Sequence, residues 1–157
     1  MPSRRDLIRM TDEERAAFLK SHKTLTIVSN GVGGHPHPMP MWFALDDDGG
    51  VRMSTFRKSQ KVKNIERDPK VTLLCEEGTE YAELRGVVIY GRCEIVDDLR
   101  TVQDTLVDIT GGDAASDPTA REKMYAVIEA TASKRVLLHT RPDKIVSWDH
   151  TKLAGKY

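Results

Sequence analysis

The sequence predicts an α+β fold in which short antiparallel strands form a small β-barrel with a few helices outside it. Three observations favour this class. β-rich runs recur along the chain and are separated by turn signals such as Asn30-Gly31. Strands and helices do not alternate as they would in a parallel sheet, and two late helices are followed by further strand. The length, 157 residues, fits one domain over 1–157.

The first half of the chain begins with a helix start signal. Thr11 and Glu14 form a capping box, in which each side chain can satisfy the other's backbone N–H, and a helix is expected through Lys20. The acidic and glycine-rich run at 46–50 predicts a hairpin turn. Further strands are expected at 25–28, 39–45 and 51–56, and a helix at 59–67.

The second half combines strands with two late helices. Strands are expected at 71–75 and 80–96, with Gly86 and Gly91 as bulges or bends. A helix should run from Asp97-Asp98 to Gly111-Gly112, and another from the N-cap Asp117 to Ala132. Closing strands are expected at 135–139 and 144–148.

Composition excludes several function classes. Lys plus Arg number 24 and Asp plus Glu number 24, so the balanced charge argues against nucleic-acid or anionic-membrane binding. There is no apolar run of about 20 residues, and the basic N-terminus has no apolar signal region. Cys75 and Cys93 stand in strand-like runs without metal-ligand spacing, which predicts a reduced cytoplasmic protein with no metal site. His35 and His37 alternate with proline, which favours a turn and a strand edge over a metal pair.

The segment 54–64 is the most informative part of the sequence. Hydroxyl residues at the end of a strand are followed by a loop and a helix start that are rich in lysine and arginine and contain no acid over 57–63. A helix N-terminus favours anions, and Ser59, Gln60 and Lys61 add hydroxyl, amide and ammonium donors there. The residues alone leave two interpretations open, a phosphate site and a solvated basic loop.

The order of several motifs resembles a known family. Ser59-x-Lys61 is followed by Asn64-Ile65 and by Asp68-Pro69-x-Val71. The flanking segments 38–43, 53–55, 83–86 and 147–153 occur in the matching order. Together they are similar to the flavin-binding split β-barrels related to pyridoxamine-5′-phosphate oxidase. The Met-Trp-Phe strand and the Ser-Trp-Asp-His-x-Lys-Leu ending resemble the branch that uses the 8-hydroxy-5-deazaflavin coenzyme F420 or, in some members, FMN.

The resemblance implies a cofactor site for which two subunits of a homodimer are needed. Residues of strand 39–43 would line the ring, Ser54 and Thr55 would lie near the ring or its ribityl chain, and Lys58 would suit the polyglutamate tail of F420. The other subunit would complete the pocket through Tyr81 or Glu83 and through Trp148 and Lys152. The cofactor-binding residues implied are thus Met39, Pro40, Met41, Trp42, Ser54, Thr55, Lys58, Ser59, Gln60, Lys61, Tyr81, Trp148 and Lys152.

The function implied is hydride transfer between F420 or FMN and a small unsaturated acceptor such as an enone, a quinone-like compound or a tetrapyrrole. A cofactor or haem carrier of the same fold and a flavin-linked redox sensor are the alternatives. The sequence indicates no catalytic residue, and it leaves solvent, Lys58 and His150 open as proton donors. Gln60 stands where the family usually has an arginine beside the lysine, and the arginine-rich C-terminal pattern of the oxidase is absent, so vitamin B6 oxidation is not expected.

Overall fold

The structure is a computed structural model and describes residues 3–155. It contains five helices and seven strands within that range. The helices are α1 (Arg4–Leu7), α2 (Asp12–Lys20), α3 (Gln60–Arg67), α4 (Leu99–Thr110) and α5 (Pro118–Ala132). The strands are β1 (Thr24–Asn30), β2 (Pro36–Trp42), β3 (Ala44–Leu45), β4 (Val51–Phe56), β5 (Lys70–Glu77), β6 (Arg85–Val96) and β7 (Arg135–Asp149).

All seven strands belong to one antiparallel sheet in the order β2-β1-β5-β6-β7-β4-β3. The two edge strands, β2 and β3, are separated in the chain by Phe43 alone. The sheet must therefore curl until its edges meet, because one continuous segment pairs with β1 at one end and with β4 at the other. This geometry confirms the predicted barrel.

The barrel is open along one line. The pairing between β3 and β4 ends at Ala44 and Arg52. Beyond that point β2 pairs only with β1, and β4 pairs only with β7. Extrapolated beyond Ala44 and Arg52, the β3–β4 register would bring Trp42 opposite Ser54, but the pairing stops and β2 only passes close to β4. We call this opening the split, and α3 begins at its end, just after β4.

The barrel interior is apolar, as the alternating pattern of the strands requires. Ile27, Met53, Leu73, Ile89 and Leu138 are all less than 2% exposed, and each such side chain contributes about 1.5–3 kcal/mol by its burial. A second, smaller cluster lies outside the barrel, where α4 and α5 cover β4 and the start of β7. The first residues of β7 therefore pack against the barrel core on one face and against the helices on the other.

The predicted caps are confirmed. The Thr11 N–H donates to Glu14 Oε2 at 2.7 Å, and the Glu14 N–H donates to Thr11 Oγ1 at 3.2 Å. Asp117 caps α5, with Pro118 at its first position. These local signals need no tertiary contact, which is why the sequence alone locates both helix starts.

Four predicted element details are wrong. The two closing strands are one 15-residue strand, because a register shift beside Tyr90 and Gly91 accommodates Pro142 without ending the pairing. The strand expected from residue 80 starts at Arg85, after a 3-10 turn at Tyr81–Glu83. The strand expected at 39–45 starts earlier, at Pro36, and is interrupted at Phe43. Gly86 makes no bulge; a Cβ there would lie 2.3 Å from the Trp148 ring, so it is glycine to admit that ring.

Three further findings concern membrane spans, metal ligands and the two cysteines. Within residues 3–155, no helix combines the length and apolar character that crossing a bilayer requires, and no group of three metal-ligating side chains comes together. Cys75 and Cys93 are free and buried, and burial raises the pKa of both thiols to about 11. Such thiols stay protonated at neutral pH and are poor nucleophiles.

Candidate functional site

Lys61 lies at the centre of the candidate site. It belongs to the first turn of α3, and only 7% of the residue is exposed. Thr55 alternates with Met53 on the inner face of β4, so its hydroxyl points toward the same interior. The Lys61 ammonium donates to Thr55 Oγ1 at 2.9 Å, and Thr55 Oγ1 lies 3.5 Å from Ser59 Oγ.

Arg135 is a second cation at this site. As the first residue of β7 it pairs with Phe56, which sets its guanidinium 4.2 Å from the Phe56 ring centroid. One guanidinium nitrogen donates to the Ser54 carbonyl at 3.2 Å. The Arg135 Nε is buried without a hydrogen-bond partner, as is the Ser54 hydroxyl. Buried polar atoms without a partner are rare in native proteins, so each needs an explanation.

Neither cation has a carboxylate beside it. Of the residues that the structure describes, no aspartate or glutamate forms an ion pair with Lys61 or Arg135. Burial, followed by repulsion from Arg135, lowers the pKa of Lys61. Burial also lowers the pKa of Arg135. A buried and a half-buried positive charge without a counter-ion are unfavourable, and an anion would relieve both.

The helix start adds further donors to this site. Ser59 is the N-cap of α3, but its side chain makes no capping hydrogen bond, so the first backbone N–H groups of the helix are not satisfied by it. Gln60 turns away and donates to Asn64 Oδ1 at 2.9 Å. Lys58 is exposed, whereas Arg57 pairs with Asp97, which follows the end of β6. Of the predicted basic cluster, Arg57 is thus paired with Asp97 and Lys63 is exposed on α3, while Arg135 joins Lys61 from another strand.

The strand predicted to line the ring forms the other wall of the split. Met41 packs against the barrel core, whereas Met39 is 37% exposed and Trp42 is 52% exposed. Trp42 had two predicted environments, core and cofactor; it points to the outer surface, where Lys23 Nζ lies 4.5 Å from its ring centroid. The prolines alternate with the methionines and lie on that same outer face.

The structure does not bring Tyr81, Trp148 and Lys152 to this site within one chain. Trp148 lies near the end of β7 opposite to Arg135, and a 15-residue strand spans on the order of 45 Å. Tyr81 contacts His150, whose Nδ1 is 2.8 Å from the Tyr81 carbonyl oxygen. Lys152 donates to Glu14 and to the Arg9 carbonyl.

Sequence reasoning missed two residues of the site. Arg135 stands far from Lys61 in the chain and at the start of an apolar run, so no local signal marks it. His37 was predicted to lie at a strand edge, which β2 confirms. Its Nδ1 is nevertheless buried and unpaired, and its cross-strand neighbour is Ser29, whose hydroxyl accepts from Asn64 of α3.

Comparison with known proteins agrees with this geometry. The sequence profile of the pyridoxamine 5′-phosphate oxidase family matches residues 11–149. The chain belongs to this family, and its fold is the split β-barrel that the resemblance implied. No curated protein matches the sequence.

Several solved structures share the fold. A conserved hypothetical protein of Mycobacterium tuberculosis is 33% identical, with a TM-score of 0.85 over 99% of this chain and 95% of that one. An F420 reductase is 23% identical, with a TM-score of 0.54 over 78% of this chain and 87% of that one. The haem storage protein of Vibrio cholerae is 14% identical, with a TM-score of 0.59 over 87% and 94% of the two chains. The last two show likeness of fold alone.

Proposed function

We propose that the protein is a cytoplasmic, homodimeric oxidoreductase that binds coenzyme F420 or FMN in the split and transfers hydride to a small unsaturated acceptor. The observation that carries this proposal is the pair of cations formed by the buried Lys61 and the half-buried Arg135, which have no carboxylate partner. A phosphate-bearing cofactor supplies the missing negative charge. The family contains proteins whose names record such cofactors, the F420 reductase among them.

The residues present fit a phosphate group. Lys61 and Arg135 supply charge, and the uncapped first turn of α3 supplies backbone N–H groups. The unpaired Arg135 Nε supplies a further donor. Gln60 takes the place of an arginine in the family motif, and Arg135 restores the second positive charge from β7 instead. The lack of an arginine at position 60 therefore does not argue against phosphate binding.

The walls of the split suit a flat ring. Met39 and the β2 backbone lie on one side, and Ser54 and Phe56 of β4 lie on the other, with the phosphate site at the end of the slot. The bound cofactor supplies the hydride chemistry, while the protein binds and orients it. Lys58 is exposed beside this site and is suited to the acidic tail of F420 or to an acidic group on the substrate. His150 lies at the Tyr81 end, so it reaches the site only if a second subunit provides it.

A homodimer with shared sites accounts for the position of the remaining predicted residues. The outer face of β5 and β6 carries Leu74, Val88 and Tyr90, of which Tyr90 is 45% exposed. The helices α4 and α5 pack over β4 and β7 instead. A second copy seated on this face would bury it, and would allow Trp148 and Tyr81 of one copy to approach the split of the other.

The binding proposal is tested by titrating apo-protein with F420, FMN and FAD and following the quenching of their fluorescence. We expect one of them to bind with micromolar affinity or better, and Lys61→Met to weaken that binding about tenfold or more. Lys63→Met is the matched control, because it removes the same charge from the exposed side of the same helix and should change binding less than about twofold. Turnover is then measured as oxidation of the reduced cofactor by an enone or a quinone. Absence of binding to all three would refute the proposal.

The dimer is tested separately by sedimentation. The expected particle has twice the chain mass of 17.6 kDa. Tyr90→Glu places a charge on the outer sheet face, so it should shift the protein toward monomer and weaken cofactor binding together. A monomeric wild-type protein that binds its cofactor tightly would contradict the shared site.

A haem carrier is the second candidate, and His37 is the observation that favours it. Its buried, unpaired Nδ1 lies on the strand that lines the split, and histidine is a common axial ligand of haem iron. Hemin belongs in the same titration. A Soret shift that His37→Ala abolishes, without any flavin or deazaflavin binding, would favour the carrier over the reductase.

A further inference from the structure

The edge strand β2 has an unusual arrangement of backbone donors. Three of its seven residues are proline, at positions 36, 38 and 40, and the strand pairs with β1 along its whole length. Proline has no N–H, so it cannot donate to that ladder. The hydrogen bonds to β1 must therefore come from the alternate residues, His37, Met39 and Met41.

The opposite edge of β2 consequently carries acceptors without donors. In an antiparallel strand the N–H and C=O of one residue point to the same side. The carbonyl groups of Pro36, Pro38 and Pro40 therefore point away from β1 and toward the split side. Trp42 is the first residue along this edge that has an N–H to offer.

The facing strand β4 has the reverse character. The Arg57 N–H donates to the Lys134 carbonyl, which shows that the odd-numbered residues of this segment bond toward β7. The N–H and C=O groups of Ser54 and Phe56 therefore point into the split. The Ser54 carbonyl already accepts from Arg135, and the Phe56 carbonyl accepts from the Ser59 N–H. What β4 presents to a ligand is N–H.

We propose that the ring binds with atom 5 toward the proline edge of β2, and that this edge makes the site selective for a deazaflavin over an oxidised flavin. The inference rests on the proposed function, since it concerns the ring bound in that split. An oxidised flavin has a bare lone pair on ring nitrogen N5, whereas a 5-deazaflavin has a C–H at the same position. A carbonyl oxygen repels the lone pair but makes a weakly favourable contact with the C–H.

The energetic argument concerns what each ring leaves unpaired. Flavin N5 needs a donor, and an acceptor-only edge leaves it unsatisfied once water is excluded. The deazaflavin has no acceptor at that position, so it loses nothing by facing carbonyl groups. The same logic predicts that a reduced flavin, whose N5 bears hydrogen, is bound more tightly than the oxidised form.

The test uses FMN and 5-deaza-FMN, which share phosphate, ribityl chain and ring shape and differ at atom 5. Dissociation constants for both are measured by fluorescence quenching with wild type, Pro38→Ala and Pro40→Ala, each of which restores one N–H to the edge. We expect wild type to prefer 5-deaza-FMN about tenfold, and at least one variant to bring the ratio close to one, mainly by tighter FMN binding. Pro118→Ala is the control, because it restores an N–H at the first position of α5, far from the split.

The outcomes separate the two proposals. If wild type binds both rings with equal affinity, or if both variants keep the wild-type ratio, the edge does not select the ring and this inference is wrong while the cofactor site stands. If neither ring binds to wild type while F420 does, this inference is wrong and the cofactor site stands; if F420 does not bind either, the proposed function is wrong as well. Thermal melting of each variant identifies any that fails to fold, and Pro38→Ala and Pro40→Ala serve as replacements for each other.

Discussion

Two pairs of partly buried cations in this protein have opposite surroundings. Arg52 and Arg121, between the 46–50 turn and the α4–α5 helices, are surrounded by acids. Arg52 donates to Asp46 at 2.5 Å and to Asp108 at 2.9 Å, and Arg121 reaches Asp108 at 2.7 Å. Lys61 and Arg135, at the split, have hydroxyl and carbonyl partners and no acid.

The pKa values follow this difference. Burial alone would lower the pKa of Arg52, but the hydrogen bonds that Arg52 donates to Asp108 and Asp46 outweigh it and raise that pKa. The hydrogen bond that Arg121 donates to Asp108 is the largest cause of its raised pKa. Burial lowers the pKa of Lys61 and Arg135. The first pair completes its own network within the fold, whereas the second has no acid partner among the described residues and, under the proposed function, is completed by a ligand. On that proposal, a structural and a functional cation are distinguished by what is missing around them rather than by residue type.

The sharpest way to break the comparison is to remove one cation from each pair. Arg52→Met removes the cation that joins Asp46 and Asp108 and leaves them only His139 and Arg121 as partners, so it should lower the free energy of unfolding by about 1–2 kcal/mol. Arg135→Met removes a cation without leaving any carboxylate unpaired, so the free energy of unfolding should change far less. Urea unfolding followed by circular dichroism measures both.

A surface ion pair provides the control. Arg100 pairs with Glu122 where both side chains are more than half exposed, so Arg100→Met should leave unfolding unchanged within error. If Arg135→Met proves as destabilising as Arg52→Met, the split pair is structural and the distinction between the two regions is wrong.

Local patterns were sufficient to predict most of the fold, and long-range pairing explains what they missed. The caps of α2 and α5 depend on residues three apart or fewer, and both are found where expected. Lys61 and Ser59 were identified because they share one helix start. Arg135 reaches them only through the pairing of β7 with β4, which no local signal encodes. The continuity of β7 was missed for the same reason, since its irregularity at Pro142 is accommodated by β6.

Lys61→Met tests whether the charge of Lys61, in the pair without acids, costs the fold stability. The wild-type side chain is a buried ammonium without a counter-ion, and methionine has a similar length without the charge. We expect the variant to be more stable than wild type by about 1 kcal/mol in the absence of ligand, while losing cofactor binding. Lys63→Met again serves as the control and should leave stability unchanged.

The pH dependence of the stability gained by Lys61→Met shows whether the gain comes from removing the buried charge. The pKa of Lys61 is lowered in the folded protein from the ordinary value of 10.5, so the unfolded chain binds the proton more tightly. At neutral pH both states are protonated and wild type carries the full cost of the buried charge. As pH rises through the folded pKa toward 10.5, the folded state releases its proton first, and the stability of wild type increases relative to the variant. The difference between Lys61→Met and wild type should therefore shrink steadily with pH in phosphate-free buffer. A difference that stays constant would show that methionine stabilises by packing alone, and that the charge at position 61 costs the fold nothing.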